Sequence, residues 1–278
     1  MKSSCIVICL LYFTLFTNSV TIISKVSDGK TPLQDSLSKD LASTIYLQFL
    51  SSHKNISKAE NPDVDMIDQL TVKISAAVTK YYRSKNKTKE LDGMDWEIHL
   101  VQESKEDALC LPGGKMVVFT SLLSVTQSEA SLAVILSHNI AHLLLQHGDK
   151  RMKQFLKDYL GGKDLAGSLA EKPSETKDFF KMAYGNGEYY GVIQGYPLND
   201  EIAADELGAI FCAMAGYDPK ESIVFWERMK YYKNTGRTPH LLNTHSFDLL
   251  RIARLKEIMD EISKKYFTPI SKKQHTSA

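Results

Sequence analysis

The spacing of apolar residues changes several times along this chain, and each change marks an element. Residues 25–62 are polar and interrupted, with one helix predicted over about Leu37–Leu50. Beyond them Ile67, Leu70, Ile74, Ala77, Val78 and Tyr81 recur every three or four positions, which predicts an amphipathic helix over about Val64–Tyr82. Trp96–Val101 alternates apolar and polar residues and predicts a strand; Lys115–Thr120, after Pro112-Gly113-Gly114, predicts another. The next helix is the most apolar. Leu132, Val134, Ile135, Leu136, Ile140, Leu143, Leu144 and Leu145 cover most of its circumference, so it is expected to be buried on several sides. Thr126-Gln127-Ser128-Glu129 has the form of a capping box at its start, and Gly148 is the expected stop. A loose, glycine-rich stretch follows over 161–197, without an apolar run of membrane-spanning length. Three more helices are predicted: about Asp200–Ala215, Asp218-Pro219 to about Lys233, and about Phe247–Tyr266.

Composition narrows the class. With 43% hydrophobic and 24% charged residues among 278, the chain is an ordinary globular protein. Lys+Arg 34 against Asp+Glu 33 leaves a formal charge of +1, which argues against a nucleic-acid partner or a polybasic membrane surface. Residues 1–24 differ from the rest: Lys2, an apolar run from Cys5 to Phe16, then Thr17, Asn18 and Ser19 have the order of a secretory signal peptide. Val20, Ile22 and Ile23 lengthen that run toward a span, so a retained anchor is the alternative, and with it the sole membrane contact. The acceptor triplets at Asn55 and Asn86 suit a secretory route. Beyond the leader, Cys110 and Cys212 stand in no paired motif and read as two buried thiols.

Candidate chemistry sits on the apolar helix. His138 and His142 are four apart, so both imidazoles project from one face and could grip one metal ion. A bare pair at this spacing is ordinarily two unrelated histidines; in so apolar a helix, an unsatisfied imidazole would cost a few kcal/mol, on the order of 2–7. Glu201 is the leading third ligand, and Asp205, one turn on, could orient a ligating histidine. Taken alone, the two acids could equally be a solvated face or complement a helix dipole.

Four ordered blocks give the site a family resemblance. Asp107–Gly114 with Lys115–Thr120, Leu136–His142, Glu201–Gly208 and Thr244-His245-Ser246 with Arg251 resemble, in turn, the edge strand, His-Glu-x-x-His helix, Glu-x-x-x-Asp helix and closing Thr-His-Pro…Arg element of certain gluzincins. That family includes bacterial HtpX, the CAAX prenyl proteases and the Oma-type metalloendopeptidase; Phe225-Trp226 also fits the Oma-type pattern. The resemblance implies an α+β, mainly helical, zincin-like metallopeptidase domain with a small β-sheet over 63–267, preceded by the 1–24 leader and the 25–62 segment and followed by a polar tail, 268–278. It implies one zinc ion per chain on His138, His142 and Glu201, with Asp205 behind them. It also implies His245 as oxyanion stabiliser supported by Arg251, and Asp107, Ala108, Leu109 and Cys110 as the edge for a peptide or protein substrate. By analogy it offers the mitochondrial inner membrane as an alternative address.

The chain departs from this pattern in several places. Membrane-type members carry spanning segments between the two ligand helices, and this chain has none there; Ser246 replaces the family's proline. Asn139 stands where the catalytic glutamate belongs. In a zincin that glutamate takes a proton from zinc-activated water and delivers it to the leaving amine. An amide oxygen is not a usable base, and the helical neighbours Ile135, Leu136, His142 and Leu143 supply no acid. Two functions follow as expectations: a metalloendopeptidase with impaired hydrolysis, or a pseudo-protease that keeps zinc and binds peptides as a regulator.

Overall fold

The computed structural model describes residues 35–184 and 195–269; the expected leader lies outside the described residues. Eleven α-helices and three strands among them give a mainly helical α+β fold, as expected. The order is α1 (Asp35–Ser52), α2 (Asp63–Ser84), β1 (Glu97–Val101), β2 (Ala108–Leu111), β3 (Lys115–Phe119), α3 (Leu122–Thr126), α4 (Glu129–Leu144) and α5 (His147–Tyr159). Then come α6 (Leu165–Glu171), α7 (Pro173–Ala183), α8 (Leu198–Met214), α9 (Glu221–Asn234), α10 (Leu241–Thr244) and α11 (Leu249–Tyr266).

The sheet runs β1-β3-β2, with β1 parallel and β2 antiparallel to β3. Gly113 and Gly114, at φ 83 and 84, make the tight β2–β3 turn, a conformation that side chains resist. Alternation then splits the strands between two cores. Ala108, Cys110, Met116 and Val118 face one formed with α2, α4, α8, α9 and α11. Leu109, Leu111, Val117 and Phe119 face the other, formed with α1, α5 and α7. Both faces of this small sheet are therefore covered, and α4 lies directly beneath it.

Several boundaries differ from the sequence reading. The cap of α4 is Ser128, whose side chain accepts the Ser131 N–H at 3.1 Å; Thr126 instead ends α3. Gln127 at φ 62 turns the chain between them, so a capping box beginning at Thr126 cannot form. Gly148 does not stop α4. The helix ends at Leu144, Gln146 makes the left-handed turn at φ 58, and Gly148 lies inside α5, where a Cβ would run into the Tyr184 ring. The stretch expected to be loose holds α6 and α7, whose few buried residues give only a short apolar stripe to read. α9 begins at Glu221, beyond the turn in which Asp218 accepts the Lys220 N–H.

Helices α4 and α8 cross in backbone contact. A Cβ on Gly208 would lie 2.9 Å from His138 Cα and N, which are backbone atoms with no room to yield. Gly208→Ala should therefore lower stability by about 1–3 kcal/mol through overpacking, outweighing alanine's helix preference of up to about 1 kcal/mol. Denaturant unfolding checks this, and an unchanged or higher midpoint would contradict the packing described.

Candidate metal centre

The α4–α8 crossing brings His138 and His142 from one helix against Glu201 from the first turn of the other. The residue following α10, His245, joins them, and all four are buried. His138 Nε2 lies 3.0 Å from His142 Nε2, 3.1 Å from His245 Nδ1 and 3.4 Å from Glu201 Oε2. Glu201 Oε1 lies 3.2 Å from His245 Nδ1 and 3.7 Å from His142 Nε2. Ligand atoms about 2.0–2.1 Å from a tetrahedral zinc ion would stand about 3.3–3.4 Å apart. The observed separations bracket that value, so this donor set fits a metal ion of zinc's size and ligand preference.

The charge balance points the same way. Arg251, 1% exposed, donates from Nε and Nη2 to both oxygens of Asp205 at 2.7 and 2.8 Å, and Nη1 lies 2.7 Å from Glu201 Oε2. Asp205 also accepts from Trp226 Nε1 and lies 2.9 Å from His138 Nδ1. Burial opposes ionisation of both acids, yet Arg251 foremost holds their pKa values below the ordinary range. Two carboxylates face one guanidinium, and although burial opposes it they raise the His138 pKa, so the excess negative charge draws a cation here, a proton on His138 or a metal ion. With Nδ1 facing Asp205, His138 turns the lone pair of Nε2 toward the ligand group.

A further histidine escaped the sequence reading. His147 Nδ1 lies 2.9 Å from His142 Nδ1, and its Nε2 lies 3.5 Å from Asp200. It stands five positions past His142 on the separate helix α5, so helical spacing gave no signal. Tyr196 also went unread; its ring stacks on His142 with centroids 4.0 Å apart.

The remaining expected residues separate into different roles. Ala108, Cys110, Asn139, His142, Tyr196 and His245 line a cavity of about 10 Å³, the room one water needs. Leu109 points away into the second core. Asp107 accepts from Ala108 N and Thr244 Oγ1, tying β2 to α10, and does not join the ligand group. Arg251 contacts the acids behind the site rather than the cavity. Burial raises the Cys110 thiol's pKa, so this cysteine stays protonated; it and Cys212 are both free and buried.

Burial, reinforced by the charge of Lys150, pushes the His147 pKa down to about 3, and burial takes His142 well below its ordinary value of 6.5. Both stay neutral when folded and take up protons when unfolded, so the stability they confer is complete above pH about 6.5 and is lost as pH falls toward 3. The metal-free protein should melt progressively lower from pH 7 to pH 4.5. His147→Gln should flatten that slope by up to about 1.4 kcal/mol per pH unit. Equal slopes in calorimetric scans would contradict the assignment.

The family model described as Peptidase family M48 matches residues 68–259. Mitochondrial metalloendopeptidase OMA1 of Saccharomyces cerevisiae is 27% identical over 225 residues, covering 77% of this chain and 61% of the relative. Human metalloendopeptidase OMA1 is 28% identical over 176 residues, covering 62% and 34%. A putative beta-barrel assembly-enhancing protease of Vibrio cholerae is 28% identical over 163 residues, covering 57% and 33%. The chain thus spans between about a third and three-fifths of these relatives' lengths. With the family's helices crossing at a buried group of metal donors, and its model matched over most of the sequence, the chain belongs to peptidase family M48.

Proposed function

We propose that this chain holds one zinc ion through His138, His142 and Glu201 and acts on peptide or protein chains as a metalloendopeptidase-like protein with impaired hydrolysis. The observation that carries this reading is the set of buried donor atoms separated by distances suited to a tetrahedral ion. Zinc in this place would polarise a substrate carbonyl and make water reactive near neutral pH. Asp205 fixes the orientation of His138, and Arg251 holds Glu201 and Asp205 ionised. Asp107 and the β2 residues Ala108 to Cys110 offer an edge on which an extended peptide can pair. Hydrolysis also needs an open coordination position, and His245 Nδ1 stands where a fourth ligand would. Its release from that position would free it to stabilise a developing oxyanion.

Asn139 sets the limit on chemistry. Among the described residues no carboxylate lines the cavity beside it to take the proton a glutamate would take. One observation favours the second reading, a pseudo-protease that binds peptides: the Asn139 amide is engaged with the edge strand itself, donating from Nδ2 to the Ala108 carbonyl at 2.9 Å.

The address follows the relatives in this reading. The yeast and human relatives are mitochondrial metalloendopeptidases by name, which favours a mitochondrial location over the secretory one expected from the leader. No helix among the described residues is long and apolar enough to cross a membrane.

Two measurements test the proposal. Elemental analysis of protein prepared with zinc should give one equivalent per chain, and His138→Ala should reduce this to background; zinc-free native protein would remove the reading. Asn139→Glu should raise peptide hydrolysis by about 10²- to 10⁴-fold, the usual contribution of a general base. Native protein that already cleaves as fast as the variant would show that Asn139 is no impairment.

A further inference from the structure

β2 is the outer strand of its sheet, so one side of its backbone faces away from β3. Ala108 stands opposite Val118 and Cys110 opposite Met116, while the Asp107 carbonyl accepts the Phe119 N–H at 3.1 Å. Backbone groups of successive residues alternate sides in an antiparallel ladder. Ala108 and Cys110 therefore direct their N–H and C=O groups toward the free edge.

Side chains already occupy both groups of Ala108. Its N–H donates to Asp107 Oδ1 at 2.8 Å, and its carbonyl accepts from Asn139 Nδ2 at 2.9 Å. The second bond also fixes the carboxamide's orientation: the nitrogen faces Ala108, and Oδ1 is left without a partner among the described residues, in a side chain 5% exposed. A planar amide that gives its N–H to an edge-strand carbonyl and keeps its oxygen free has the hydrogen-bonding pattern of one peptide unit. Glutamate could not take this place, because an ionised carboxylate has no N–H to donate.

We propose that the Asn139 carboxamide is a built-in surrogate for a ligand's peptide unit, which occupies the β2 edge at Ala108 so that an extended peptide docks there only by displacing it. This rests on the reading above that the edge receives peptides. Asparagine at position 139 then does two separate things: it lacks the base and it competes with the ligand. A residue that merely supports the fold would weaken peptide binding when removed. A surrogate predicts the opposite sign.

The test uses the full chain loaded with zinc, together with Asn139→Asp, which keeps the shape and removes the donor, and Asn139→Ala. Binding of fluorescein-labelled β-casein, an unfolded protein probe, is followed by anisotropy, with gels checking that the probe stays intact. Both variants should bind about threefold to tenfold more tightly than the native chain, the scale of one net hydrogen bond. The near-isosteric aspartate variant decides the matter if the alanine variant melts below the assay temperature. Equal or weaker binding by the variants, or no binding by any of the three proteins, overturns the proposal. Zinc content measured on the same samples separates the two readings: full zinc confines such a failure to the edge strand, whereas a zinc-free native chain removes the metal reading itself.

Discussion

Two buried carboxylates face one buried guanidinium at the α4–α8 crossing, and the arrangement of the site follows from that imbalance. Arg251 binds Asp205 through two nitrogens and reaches Glu201 with a third, and its guanidinium carbon lies 3.6 Å from the centroid of the Trp226 ring. Removing Arg251 would leave both carboxylates buried without their counter-charge, a loss of about 3–5 kcal/mol for a broken buried pair. With the three in place, one negative charge remains for a proton on His138 or another cation to balance, among histidines whose lone pairs converge. A divalent cation satisfies that charge and those lone pairs together. Burial is a liability for an empty cluster of imidazoles, and a bound cation would offset it.

The fold meets the constraint through close helix packing. Gly208 lets α8 approach the His138 backbone, so the acids on α8 reach imidazoles on α4 over short distances. The sheet lies on the other side of α4, with Ala108 and Cys110 turned toward the same core. The metal donors, the edge strand and the residue between the two histidines therefore share one small cavity. Asn139 belongs to both parts: its neighbours along α4 are donors, while its own side chain binds the strand.

The sequence disclosed what depends on regular periodicity. His138 with His142, and Glu201 with Asp205, are one-turn pairs, and the apolar wrapping of α4 announced its burial. His245 and Arg251 come from a separate segment of chain, so the resemblance to a family pointed to them where spacing could not. His147 was hidden because Gln146 breaks the helix just before it, ending the register that would have linked it to His142. The cap of α4 was misassigned by two residues because Thr126 and Ser128 are both good cap residues, and only the left-handed Gln127 chooses between them. Helices α6 and α7, of 7 and 11 residues, are too short to carry a long apolar stripe and are fixed chiefly by packing. The bond from Asn139 to Ala108 joins residues 31 apart and had no trace in local pattern.

X-ray absorption at the zinc edge of the loaded protein tests the central claim most directly, because it reads the ligand atoms without reference to activity. The account predicts a first shell of nitrogen and oxygen only, at about 2.0–2.1 Å, with the multiple-scattering signature of imidazole rings. A sulfur ligand at about 2.3 Å would place the ion on a cysteine instead. That result, or a shell without imidazole, would contradict a centre built on His138, His142 and Glu201.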